Sequence, residues 1–177
     1  MATRKWQALV LNALRFEAGW LLCVLGGSWV AAIAGSSLLA WHLWRCSFSG
    51  EWRFIAGFAL LGLVIDGSLQ LLGGFDFNDQ TLVLGLLPLW LWMLWPLFAT
   101  LVYHSLGWLW RYPLIAALCG AVSGPLSYYG GALLAEVSLA PCLLPVQALI
   151  WAALCAGISR YYRRLIPAVK TAMTQSG

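Results

Sequence analysis

AGWLLCVLGGSWVAAIAGSSLLAWHLW, residues 18–44, is the stretch whose reading decides the fold. It carries no charged residue and is longer than the about 20 apolar residues a helix needs to cross a bilayer. Two readings compete. In one, the stretch is a single long tilted helix behind an amphipathic leader. In the other, two helices meet in a tight turn at Gly26-Gly27, where adjacent glycines favour a reversal. The first gives five membrane spans and leaves Arg4 and Lys5 outside. The second gives six.

The charges further along the chain choose between them. Six apolar segments can be read, at about 6–26, 27–44, 54–73, 82–103, 113–134 and 139–159. With the N-terminus inside, the cytoplasmic pieces hold Arg4, Lys5, Arg45, Arg53, Arg111, Arg160, Arg163, Arg164 and Lys170, nine of the ten basic residues. The outer pieces hold Asp76, Asp79 and Glu136 and no basic residue. Lys and Arg mark cytoplasmic loops, so six spans with both ends inside is the favoured topology. The expected fold is all-α: a polytopic transmembrane bundle of six helices forming one integral membrane domain, 1–177, in a bacterial inner (cytoplasmic) membrane. Asn12, Arg15 and Glu17 interrupt the first segment, unlike the uncharged core of a signal peptide, so no cleavable signal is expected.

Composition supports lipid as the solvent. Of 177 residues, 62% are hydrophobic and 9% charged, against about 25% charged in soluble domains. The net charge of +4 is spread over loops and ends, and no basic patch with interleaved aromatics exists, so no nucleic-acid partner is expected. The tryptophans Trp6, Trp41, Trp44, Trp52, Trp108 and Trp110 fall near the inner interface, the position of an aromatic belt. Trp90, Trp92 and Trp95 lie deeper, between Pro88 and Pro96, as packing or as the wall of an apolar ligand site. Gly27, Ala31 and Gly35, and the pair Gly120 and Gly124, mark faces where helices approach closely.

The five cysteines, Cys23, Cys46, Cys119, Cys142 and Cys155, form no C-x-x-C. They read as free thiols acting as small hydrophobes. The only histidines are His42 and His104, both at the cytoplasmic rim. Neither metal ligation nor a cofactor is expected from such spacing. No nucleophile–base pair, carboxylate pair or phosphate loop is present, so the reading leans away from an enzyme.

Polar side chains inside a bilayer are costly and mark candidate sites. Here they are Asn12, Arg15, Glu17, Asp66, Gln70, Ser127, Tyr128 and Gln147. At 1.5 Å per residue their depths run from about 9 Å for Asn12 to about 24 Å for Gln70, so four spans contribute to one polar layer. Gly62, Asp66 and Gln70 share a helix face, as do Asn12 and Arg15. Arg15 is expected to snorkel or to pair with Asp66. Glu17 points roughly opposite Arg15 and needs another partner. Pro125 and the glycines around it weaken the fifth helix beside Ser127 and Tyr128.

Four motifs, Asn12-Ala-Leu-Arg-Phe16-Glu-Ala-Gly-Trp20, Gly62-Leu-Val-Ile-Asp66, Pro88-Leu-Trp90-Leu-Trp92 with Trp95 and Phe98, and Gly124-Pro125-Leu-Ser-Tyr128-Tyr-Gly130, resemble one family over nearly the whole chain. It is a mostly proteobacterial inner-membrane family catalogued as a domain of unknown function. Glu17 departs from its pattern, which has Gln there. The family is similar to proteins often encoded near cyclopropane-type fatty-acid-modifying enzymes, which implies a role in membrane lipid modification or envelope stress. The size also looks like that of substrate-binding subunits of vitamin uptake systems, and Gly62-x-x-x-Asp66 like a segment of a rod-shape-determining membrane protein. Three functions are therefore expected as alternatives. The first is binding or translocation of a small amphipathic or lipid-like ligand at the polar layer. The second is an accessory or scaffold subunit with a membrane-protein partner, serving lipid modification or envelope maintenance. The third is a membrane-embedded lipid-modifying enzyme.

Overall fold

In a computed structural model of the chain, the described residues are 2–78, 80, 82–83 and 85–175, without the side chains of residues 2–5, 82 and 164–175. Asp79 therefore lies outside the described residues, as do the side chains of Arg4, Lys5, Arg164 and Lys170. The chain forms two compact units, residues 1–105 with 130–140, and residues 106–129 with 141–177.

The first unit begins with α1, Ala2–Val30, but the helix is not continuous. Gly27 sits at φ 66° and ψ −165°, a region that in practice only glycine occupies. The chain reverses there. Arg15 lies over the ring of Trp41, and Leu38 packs against the bare face of Gly19. One straight helix would hold these pairs about 39 Å and about 28 Å apart. A Cβ at Gly26 would collide with Val30, so both glycines of the pair serve the turn. The returning strand of this helical hairpin is a π turn, Ala31–Gly35, followed by α2, Ser36–Arg45. Residues 46–50 lead into α3, Glu51–Leu71, entered through Gly50 at φ 92°.

Next comes a difference from the sequence reading. The segment expected to be helical over 82–103 begins as a small antiparallel ladder, with β2, Leu82–Val83, paired to β3, Leu87–Pro88. The chain turns at Gly85, φ 69°. Pro88 has an extended conformation and α4, Leu89–Val102, starts only after it. Proline lacks an amide donor, and its ring opposes a helix running through it. At 14 residues, α4 is about 21 Å long, short of the about 30 Å hydrocarbon core. It is also the most enclosed helix of the unit, with Trp90, Leu91, Met93, Trp95, Leu97, Ala99, Leu101 and Val102 all buried. It packs on α1 and α3. The bare faces of Gly35 and Gly62 receive its Met93 and Trp95.

The far end of the unit is closed by β1, Phe75–Asp76, paired antiparallel with β4, Ser138–Leu139. Asn78 Nδ2 donates to the Glu136 carbonyl at 3.2 Å, and Gln80 joins Trp90 Nε1 to the Ala135 carbonyl.

The second unit holds a 3₁₀ turn, Leu109–Arg111, most of α5, Pro113–Leu134, and α6, Leu143–Gln175. The α5 bounds match the expected segment, and Pro125 sits inside without ending the helix. Gly120 and Gly124 face Cys155 and Trp151 of α6, so this small-residue face serves a contact within the chain. Ser159 Oγ donates to the carbonyl of the buried Trp110 at 2.6 Å. Cys23 and Cys155 are buried free thiols, whereas Cys46, Cys119 and Cys142 are exposed.

Trp6–Arg45, Glu51–Leu71 and Leu143–Arg163 are long and apolar enough to cross a membrane, and the first of them folds back at Gly27. Outward-facing Leu60, Val64, Ile33, Leu118, Val122 and Leu149 are all exposed. Apolar surface on this scale belongs against lipid or protein, not water.

If the Gly27 reversal requires glycine, Gly27→Ala should cost about 1–3 kcal/mol through backbone strain alone, because nothing lies within 4 Å of the added methyl. Gly57→Ala in the middle of α3, equally open, should leave the thermal midpoint in detergent unchanged or raised. Equal midpoints for the two variants would contradict the turn.

Candidate functional site

In the first unit the buried and half-buried polar residues singled out in the sequence fall in two places, and a third polar group stands with them. Asp66 is fully buried on α3 and accepts a hydrogen bond from Trp95 Nε1 at 2.7 Å. Gly62, one turn earlier, leaves the space that the same indole fills. Trp92 Nε1 donates to the Ala59 carbonyl at 2.7 Å. All three deep indoles thus have acceptors, as buried donors require. Gln70, on the same face of α3, is half-buried, and its Oε1 has no hydrogen-bond partner among the described residues.

Asn12 and Arg15 lie in the second place. The buried Asn12 donates from Nδ2 to the Thr100 carbonyl at 3.3 Å. Its Oδ1 accepts from the Ser105 hydroxyl at 2.7 Å and the Ser105 amide at 3.3 Å. It therefore satisfies groups freed at the end of α4. Arg15 does not pair with Asp66. Its guanidinium stacks 3.9 Å over the Trp41 ring, a contact made possible by the reversal at Gly27. Among the described residues no carboxylate forms a salt bridge with it. Asn12, Arg15, Phe16, Leu38, Trp41, His42, Leu97 and Thr100 line a small cleft of about 20 Å³. Glu17 is exposed. In the second unit Ser127 is exposed, Tyr128 half-buried and Gln147 fully buried on α6.

The third place was not read from the sequence. His42 in the last turn of α2, Glu51 at the start of α3 and His104 just after α4 meet at one end of the unit. Glu51 Oε1 lies 3.1 Å from Nε2 of His42 and 3.1 Å from Nε2 of His104. Oε2 accepts from the Phe48 amide at 3.3 Å and lies 3.4 Å from His104 Nε2. The rings stand edge to face with centroids 5.0 Å apart. Glu51 is 1% exposed and His42 4%. The helix N-terminus favours a negative group here. A signal was present in the sequence. Both histidines fall at the rim, and a lone glutamate opens the third helix at the same level. Spacings of 9 and 53 residues hide that from any local motif.

Because Asp66 accepts from Trp95, its role can be tested by keeping or removing the acceptor. Asp66→Asn keeps an acceptor for the indole and should lower the thermal midpoint in detergent only slightly. Asp66→Leu removes the acceptor and leaves a buried donor, and should cost about 1–3 kcal/mol. Equal effects of the two variants would mean that the bond to Trp95 contributes little.

No curated protein and no solved structure matches the chain. A family model does match, over residues 9–157 and so across both units and all three polar places. The chain belongs to the family described as protein of unknown function (DUF2878).

Proposed function

We propose that the protein is a six-span inner-membrane protein with both ends in the cytoplasm, and that it binds a small anionic amphiphile, lipid-like in form, at the Arg15–Trp41 cleft. The observation that carries the binding is Arg15. A guanidinium in an apolar helix is costly unless it meets charge or polar groups, and here it has an aromatic face and, among the described residues, no carboxylate. Its forked donors suit phosphate or carboxylate oxygens. The cleft has room for about one water-sized group. A single carboxylate or phosphate oxygen therefore enters it, while the rest of the ligand lies outside against exposed apolar side chains of α1 such as Val10, Leu11 and Leu14.

The distribution of charge supports the topology. In the first unit the exposed Arg45 and Arg53 lie at the end where α2 stops and α3 starts, and the exposed Asp76 and Glu136 lie at the end closed by β1 and β4. The Gly27 reversal makes two crossings of residues 6–44. The short α4 makes its crossing together with the extended residues before it. Such a non-helical stretch is tolerated at membrane depth where protein encloses it, and Leu87 and Pro88 are buried.

Alkaline phosphatase fused after Asn78 should be active, and green fluorescent protein at the C-terminus should fluoresce. A silent phosphatase at 78 would overturn the topology. For the ligand, the protein in detergent should retain phosphatidylglycerol or a free fatty acid by native mass spectrometry. Retention should fall at least about 10-fold in Arg15→Gln, the loss of about 1.4 kcal/mol. Undiminished retention of both probes by that variant would remove Arg15 from the function.

A further inference from the structure

We propose that His42, Glu51 and His104 bind one divalent transition-metal ion of the zinc class. The three side chains come from three separate helix ends of the first unit, and their ligand atoms lie within 4.8 Å of one another. Two of the three separations already have the size that coordination needs. With metal–nitrogen and metal–oxygen bonds of about 2.0–2.2 Å, neighbouring ligands on a tetrahedron stand about 3.3 Å apart. Both histidine Nε2 atoms lie 3.1 Å from Glu51 Oε1. The remaining separation, between the two Nε2 atoms, is at most 4.8 Å, and the His104 side chain, 24% exposed, is the one with room to move.

The donor set selects the ion. Two imidazole nitrogens and one carboxylate suit zinc, ferrous iron, cobalt or nickel. Calcium and magnesium prefer all-oxygen sites. The cluster also differs from a chance surface group of acids, because its only acid and one of its histidines are almost wholly buried. Three protein ligands leave a fourth position open, the arrangement of zinc sites that hold water or an exogenous ligand. His42 also lines the cleft with Asn12, Arg15 and Thr100, which gives that position a route to small molecules. When the ion binds, each neutral ring presents the Nε2 lone pair and carries its proton on Nδ1. With one carboxylate and two neutral imidazoles as ligands the loaded site carries net charge +1, which a bound hydroxide or other anion brings to zero.

The test uses the full chain purified in detergent with an affinity tag that contains no histidine, stripped with EDTA and titrated with Zn²⁺ by calorimetry. One equivalent should bind, and Co²⁺ in its place should show visible d–d bands. His104→Gln and Glu51→Gln should each weaken Zn²⁺ binding at least about 10-fold while keeping the helical circular-dichroism signal. The wild-type protein supplies a readout that needs no variant. The sequence contains two histidines, of which His104 is the more accessible at 24% side-chain exposure, so saturating Zn²⁺ should remove its diethyl pyrocarbonate adduct from the mass spectrum. Absence of stoichiometric binding would leave a hydrogen-bonded triad only and overturn the proposal. Zn²⁺ binding that survives both variants with His104 unprotected would place the ion elsewhere, on the cysteines, and overturn it equally.

Discussion

The first unit depends on one indole. Trp95 fills the space beside Gly62 and donates its N–H to Asp66 one turn further along α3. A side chain at position 62 would displace the ring, and loss of the carboxyl would leave a buried donor, which costs about 1–3 kcal/mol. Lipid gives helices no hydrophobic drive toward each other, so close packing and interhelical hydrogen bonds must hold them. This clasp supplies both at once. From it an aromatic ladder extends toward the other end of α3: Phe58 lies 6.3 Å from Trp95 and 6.1 Å from Phe98, and Phe54 lies 4.8 Å from Phe58 and from Tyr103. Phe98 in turn meets Phe16 of α1 at 6.2 Å. The ladder ends beside His104, the residue that follows Tyr103. Packing in the middle of the unit therefore fixes the place where the histidines and Glu51 meet.

The hairpin at Gly27 has a similar reach. It brings the return helix against α1, and only then can Trp41 cover Arg15. A cation over an aromatic face gains about 0.5–2 kcal/mol depending on desolvation, which favours an arginine that would otherwise need a carboxylate. Asp66 is thereby left to Trp95. The two charged residues that looked like an ion pair are each occupied by a tryptophan instead, and the polar layer separates into a structural clasp and a cleft.

The buried triad is separate from the clasp and shares His42 with the cleft. Its carboxylate lies at a helix start, accepts a backbone amide from Phe48 and faces two imidazoles. Every polar atom of Glu51 is thus engaged, as burial demands. Two nitrogens within 3.1 Å of one buried carboxylate oxygen, with His42 also facing the polar cleft, are what distinguish this group from the other polar pairs of the unit.

Much of the architecture follows from the sequence by itself. Scarcity of charge makes lipid the solvent, the Gly26-Gly27 pair marks the reversal, and the apolar run after Pro113 matches α5 from end to end. Those features are local, set by residue type and spacing along the chain. The start of α4 was less legible, because apolarity continues through residues 82–88 while Gly85 and Pro88 impose an extended turn that hydropathy does not register. Asn12 and Arg15 were correctly placed on one face, yet their partners, Thr100, Ser105 and Trp41, lie 26 to 93 positions away. Asp66 was legible as buried and polar, but not as the acceptor for Trp95. The His42–Glu51–His104 group was decided by tertiary structure alone. Three helix ends must stop at the same level before single residues on each can share an oxygen, and no spacing along the chain encodes that meeting.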